Sequence, residues 1–138
     1  PKTSIERRKL FNYEGYSIVE NEHPDIGQGH SLRLASKVVQ TKGYNAICVM
    51  LGDMPFVSKE DISSLLQNLS NEDIAISHCN KTRMPPAFFK NDAFKKIADI
   101  DPKAGAKTLF NHSNVYKHPL SERAARDIDT PETLAELS

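Results

Sequence analysis

Asp53 stands where a carboxylate could do chemistry. It follows the apolar run Ala-Ile-Cys-Val-Met-Leu at 46–51 and then Gly52. A run of that length and composition predicts a strand buried on both faces, as in a parallel sheet. Pro55 blocks simple continuation of the strand as a hydrogen-bonded ladder. The carboxylate therefore falls just past the strand's carboxyl end, the edge at which open α/β sheets bind ligands. Ser58 follows as a helix N-cap, with Asp61 three residues on in a variant of the capping box. A carboxylate held between two rigid elements suits a metal ion. The plainer alternative is a loop aspartate that accepts hydrogen bonds from nearby backbone N–H groups.

Other polar residues carry weaker signals. Gly27 and Gly29 leave backbone N–H groups open ahead of a predicted helix, an end that favours anions and carbonyl-bearing bases. His30 lies beside them and is read either as a contact to a base or ribose or as a solvated loop histidine. Lys81 and Arg83 sit in the polar segment Asn-Lys-Thr-Arg-Met-Pro-Pro at 80–86, read as a turn. By themselves they read as an exposed basic turn. Asp127 and Asp129 precede Pro131, which opens the last predicted helix at its first position with Thr130 as N-cap. Both aspartates could serve only the positive end of that helix. Nothing in the sequence places a serine, a histidine and an aspartate together as a nucleophilic assembly.

Composition narrows the classes. The chain has 138 residues, enough for one domain over 1–138 with a real core. Lys plus Arg total 18 and Asp plus Glu total 18, so the formal charge is zero and no basic surplus argues for nucleic acid or an anionic membrane. Mean hydropathy is -0.51, and no apolar run approaches the roughly 20 residues of a membrane span. The first residues show no apolar signal core. Cys48 and Cys79 have no Cys-x-x-Cys spacing and both fall in predicted strands. They read as two buried thiols of a cytoplasmic protein.

The elements that must position these residues follow in order. Residues 1–15 are charged around Glu6-Arg7-Arg8-Lys9 and read as a frayed helix end or a segment that packs on something else. Residues 16–20 alternate towards a short strand. Ser31 is expected to cap a helix over 32–42 closed by Gly43, with Leu32, Ala35, Val38 and Val39 on one face. A helix over 59–69 is expected to bury Ile62, Leu65, Leu66 and Leu69. Strands are expected over 73–78, 87–89, 115–118 and 124–128. Asn91 is expected to cap a helix to about 98, and residues 106–110 to form a short helix. Strands alternating with helices argue an α/β layer with a mostly parallel central sheet.

Four stretches resemble one family in its order. Leu-Gly-Asp-Met-Pro-Phe-Val at 51–57 resembles the metal-binding motif of the molybdopterin nucleotidyltransferases, and within them that of the molybdenum cofactor cytidylyltransferases. Gly27-Gln28-Gly29-His30-Ser31-Leu32 resembles the base-side loop. Gly105-Ala106-Lys107 resembles a Gly-Ala-Arg element, with lysine where the family often has arginine; lysine keeps the charge but not the planar two-pronged phosphate contact. Asp127-Ile128-Asp129-Thr130-Pro131 resembles the C-terminal signature. One family element is not matched: nothing in residues 1–30 resembles the opening glycine-rich loop that wraps the triphosphate. The chain is thus expected to correspond to the C-terminal two thirds of such an enzyme.

The resemblance implies a Rossmann-like nucleotide-diphospho-sugar transferase (GT-A-like) fold, N-terminally truncated, with helices on both faces of the sheet. It implies transfer of CMP from CTP to molybdopterin with release of pyrophosphate, assisted by Mg2+. Asp53 and Lys107 would be catalytic, and Asp53, Asp129 and Asp127 would hold the metal. Gly29, His30, Ser31 and Gly52 would contact the nucleotide, and Lys81 and Arg83 would meet phosphate on the acceptor. A molybdoenzyme or its chaperone is a further implied partner. Two alternatives stand beside this: an inactive nucleotide-binding remnant, and a related transferase that uses GTP or another phosphorylated acceptor.

Overall fold

The computed structural model describes residues 15–111 and 114–135, so the expectation for the charged start lies almost wholly outside the described residues. Four strands form one sheet: β1 (Ala46–Val49), β2 (Ile74–Cys79), β3 (Thr82–Lys90) and β4 (Val115–Pro119), in the order β1-β3-β2-β4. β3 runs antiparallel to both β1 and β2, and β2 pairs with β4 in parallel. Three of the four strands therefore point the same way. The expected mostly parallel sheet is a mixed one, because the β2–β3 connection is a tight hairpin through Asn80, at φ 54°, and Lys81.

Helices cover both faces. On one face Ile74, Ile76, Ala87 and Phe89 meet Ala93, Phe94, Ile97, Ile100 and Leu109, with Leu32, Val39, Ile47 and Val49 at the margin. The covering residues come from α1 (Gln28–Thr41), α3 (Asn91–Lys96) and the 3-10 turns at Ile97–Asp99 and Gly105–Asn111, with Ile100 just after the first of these turns and Ile47 and Val49 from β1. On the other face Leu65 and Leu69, in and just after α2 (Lys59–Asn68), pack on Ala75 and Phe88 with Ile62 and Tyr116 beside them. Leu66, expected to be buried, is exposed. Gly43, at φ 82°, closes α1 as expected, its N–H reaching the Gln40 carbonyl at 2.9 Å.

Several local expectations change. Among the described residues β1 is an edge strand, and it is only partly buried rather than buried on both faces, with Cys48 exposed. Desolvation still pushes the Cys48 thiol up to about 11, so the sulfur is a protonated thiol at neutral pH and a poor nucleophile. Residues 16–20 form no strand. The segment read as a turn at 80–86 is mostly β3. Its two prolines cannot donate to a ladder, and the register shifts there, Ile76 facing Ala87 and Ser77 facing Met84. The buried Ser77 hydroxyl donates to the Pro86 carbonyl at 2.9 Å and satisfies the acceptor that the shift leaves over. Asn91 does not cap α3; Lys90 holds the cap position, and the Asn91 amide donates to Asp73 Oδ1 at 3.0 Å.

Candidate active site

Asp53 occupies a turn between β1 and α2, as its sequence context predicts. Ser58 caps α2 with the full reciprocal box: its hydroxyl accepts the Asp61 N–H at 3.1 Å, and Asp61 Oδ2 accepts the Ser58 N–H at 2.9 Å. Such a cap is worth about 1 kcal/mol. Met54, next to Asp53, is buried in a small cluster with Leu120 and Ala124, flanked by Val57 and Met84. The loop is therefore held from below by apolar packing. Phe56 stacks under the Arg123 guanidinium, 4.6 Å from the ring centre.

Asp127 and Asp129 come to this loop through the main chain. The Ile128 N–H donates to the Asp53 carbonyl at 2.8 Å, so the two flanking aspartates, both exposed, lie on a segment tied to Asp53. The strand expected over 124–128 is absent. Ser121 closes turns there instead, its hydroxyl accepting the Ala124 N–H at 3.1 Å and its carbonyl the Ala125 N–H at 2.9 Å. Asp129 thus follows a loop. Thr130 caps α4 (Pro131–Ala135) as expected, its hydroxyl accepting the Thr133 N–H at 3.2 Å.

Whether these residues suit a divalent cation is tested by Asp53 itself. Its Oδ1 is buried and has no hydrogen-bond partner. An oxygen that has lost water and gained nothing from the protein is costly unless a cation compensates it. Among the described residues no group of three or more His, Cys, Asp or Glu side chains converges to hold a metal. Asp53, Asp127 and Asp129, expected together to hold the metal, therefore form no such group.

The base-side residues fall differently from expectation. α1 starts at Gln28, with Gly27 as N-cap at φ 127°, so His30 and Ser31 lie in its first turn and Ser31 is not the cap. The Ser31 hydroxyl accepts the Asn21 amide at 2.9 Å, and the His30 ring meets His23 edge-on at 6.3 Å. Gly29 is buried; a Cβ on it would meet the Pro102 carbonyl oxygen at 2.5 Å. The missing side chain there lets α1 sit on the 101–102 loop.

A cavity of about 560 Å³ opens beside these elements. Gln28 and Ser31 line it from α1, residues 47–51 from the β1 edge, Arg83 from β3, and Gly105 and Lys107 from the 3-10 turn. Its wall is largely apolar, with Arg83 and Lys107 as its cations. The Arg83 guanidinium donates to the Phe110 carbonyl at 3.3 Å and lies 5.5 Å from the Phe110 ring centre. Three of the separate sequence motifs thus meet at one cavity. Asp53, Gly52, Gly29 and His30 are not in its wall, which ends on this side at Leu51.

Sequence reasoning missed His118. Its Nε2 lies 2.9 Å from Asp61 Oδ1, with both side chains largely buried. Asp61 was visible only as a capping residue; a histidine 57 positions away carries no local signal. Burial opposes ionisation of Asp61, but the bonds from His118 and Ser58 outweigh it and hold the carboxyl below its usual range. A depressed folded-state pKa gives stability that is present above the unfolded value and is lost as pH falls through the folded one. The urea midpoint is therefore expected to drop as pH goes below about 4, the ordinary aspartate range, and Asp61→Asn should flatten that part of the profile. An unchanged acid limb in the variant would remove Asp61 from the acid response.

An aspartate loop follows the carboxyl end of β1, and a largely apolar cavity that carries Arg83 and Lys107 lies along the same edge. Residues 3–119 match the MobA-like NTP transferase domain, and the chain belongs to that family, which is one of nucleotidyltransferases. Among curated proteins it is 27% identical over 121 residues to the purine catabolism protein PucB of Bacillus subtilis, covering 85% of this chain and 58% of that protein. It is 26% identical over 125 residues to the phosphoenolpyruvate guanylyltransferase of Sphaerobacter thermophilus, covering 83% and 57%. The chain thus spans less than two thirds of the length of these curated relatives. The Rv0371c protein of Mycobacterium tuberculosis H37Rv, in complex with manganese, shares the fold with a TM-score of 0.70 at 21% identity, over 95% of this chain and 70% of that one. Molybdopterin-guanine dinucleotide biosynthesis protein A of Archaeoglobus fulgidus does so with 0.63 at 18%, over 97% and 72%. The Rossmann-like nucleotide-transferase fold is therefore the fold of this chain. Among the described residues no helix is long and apolar enough to cross a membrane.

Proposed function

We propose that this chain serves nucleotidyl transfer in molybdenum cofactor synthesis, moving CMP from CTP to a molybdopterin-type phosphorylated acceptor. The observation that carries this reading is the buried, unpartnered Oδ1 of Asp53 on a loop tied to the Asp127–Asp129 segment. An oxygen of the acceptor's terminal phosphate attacks the α-phosphorus of CTP. The bond from that phosphorus to the α–β bridging oxygen breaks, and pyrophosphate leaves with the electron pair. A divalent cation held by Asp53 would supply charge neutralisation on the phosphate oxygens.

Asp53 would hold the cation with Asp129 as the second carboxylate, and substrate phosphates would complete its shell. Lys107 and Arg83, both cavity residues, would take the negative charge of nucleotide and acceptor phosphates. Gly52 would let the loop approach the nucleotide, and the first turn of α1, with Gly29, His30 and Ser31, would lie on its base side. The reading makes 1–138 one domain in a cytoplasmic protein, with a molybdoenzyme or its chaperone as a recipient of the product.

A second reading, transfer of GMP, is favoured by the names of two similar proteins, a guanylyltransferase and a molybdopterin-guanine dinucleotide protein. Thermal melts with Mn2+ and either CTP or GTP separate the two. The expected result is a rise in melting temperature with CTP above that with GTP, since only a ligand that binds the folded state raises its apparent stability. A larger shift with GTP moves the assignment to guanylyl transfer, and no shift with either rejects nucleotide binding by this chain.

A further inference from the structure

The Asp53 loop is anchored at its far end by one carboxylate. Asp61 Oδ2 accepts from the Ser58 N–H at 2.9 Å and from the Ser58 hydroxyl at 2.7 Å. Its other oxygen, Oδ1, is 2.9 Å from His118 Nε2, and the two side chains are only 18% and 13% exposed. The carboxylate therefore closes the N-terminus of α2 and ties it to β4. β4 also reaches the loop from below. Two residues on from His118, the Leu120 N–H donates to the His78 carbonyl at 2.8 Å, and the Leu120 side chain packs with Met54, the neighbour of Asp53. The end of β4 thus grips the loop at two points, at Ser58 through Asp61 and at Met54 through Leu120.

We propose that His118 is a positioning residue for Asp53: by holding Asp61, it sets where the Ser58 end of the loop lies and so where the buried Asp53 carboxylate can meet a divalent cation. The inference rests on the reading of Asp53 as a metal ligand. Loss of the His118 contact leaves Asp61 Oδ1 without its partner in a largely buried place, which favours a shift of the helix start towards water. The fold need not be lost, because the α2 core contacts of Leu65 and Leu69 are separate from this contact.

The test uses Mn2+ alone as probe, titrated into the 138-residue chain by calorimetry and by the paramagnetic signal of free Mn2+. His118→Leu removes the donor, and His118→Asn keeps a polar group too short to reach Asp61. Both are expected to bind Mn2+ about tenfold more weakly. His118→Gln, whose amide nitrogen can take the place of the ring Nε2, is expected to stay within about threefold of wild type. Ile74→Val, a change in a core cluster separate from the one under the loop, lowers stability by about 0.5–1.5 kcal/mol and should leave Mn2+ binding alone. Weakening by Leu and Asn with rescue by Gln supports the inference. Equal Mn2+ affinity in all the His118 variants, with binding still lost in Asp53→Asn, overturns it while leaving the metal reading intact. Weakening by Ile74→Val of the same size also overturns it, since general stability would then explain the effect. Wild-type protein that binds no Mn2+ overturns both.

Discussion

Asp53→Asn is expected to melt no lower than wild type without metal and to lose on the order of a hundredfold or more in metal-dependent transfer. The two halves of that result come from different atoms. The fold uses the Asp53 main chain, whose carbonyl accepts the Ile128 N–H at 2.8 Å, and asparagine keeps it. The Oδ1 atom makes no hydrogen bond that could be lost, and a buried neutral amide costs less to desolvate than a carboxylate. The cation, by contrast, loses a charged ligand. A metal's stabilisation of phosphoryl charge is worth several kcal/mol, and each ~1.4 kcal/mol is a factor of ten in rate. Melts with and without Mn2+ and nucleotide, alongside pyrophosphate release, separate the effects. Near-normal turnover would defeat the metal assignment, and a large fall in the metal-free melting temperature would return Asp53 to a structural role.

The second large effect is on stability. Gly29→Ala places a methyl group in the first turn of α1, where alanine ordinarily gains about 1 kcal/mol over glycine. Here the new Cβ would stand 2.5 Å from the Pro102 carbonyl oxygen and 2.8 Å from that of Asp101. Both are backbone atoms and cannot rotate away, and overpacking of this kind costs about 1–3 kcal/mol. The clash is expected to outweigh the helix gain by up to about 2 kcal/mol, a fall in melting temperature of up to roughly 8 °C for a chain of this size. The displaced loop leads directly to Gly105 and Lys107, so the cavity wall should move with it. A variant that melts at or above wild type would show that α1 and the loop are not in tight contact.

What could be read from the sequence was local. Ser58 with Asp61, Thr130 before Pro131, and Gly43 after a helical face are each complete signals within a few residues, and each is found in its place. Signals that depend on neighbours in space misled. An apolar run announces a strand but not how many partners it has, so β1 was expected inside the sheet and, among the described residues, lies at its edge. Pro85 and Pro86 read as a break, whereas Ser77, itself buried, lets β3 carry them through a register shift. Ser31 looked like a cap, but Gly27 supplies a backbone geometry that starts the helix a turn earlier. The site was legible where a motif names one residue, as with Asp53, and illegible where it is made by long-range contact, as with Asp61 and His118.

The outer side of β1 is open among the described residues, and Met50 and Leu51 extend its apolar exposure towards the loop. Unpaired strand edges are templates for strand addition, and proteins usually blunt them with lysine, proline or short length. Ala46-Ile47-Cys48-Val49 has no lysine and no proline; its four residues are its one safeguard. The chain also carries no formal net charge, with a pI near 7.4, so near neutral pH little long-range repulsion keeps two such edges apart. Colloidal behaviour in solution is therefore set less by the buried core than by buffer pH, and a shift away from the isoelectric point in either direction restores the repulsion that the edge itself lacks.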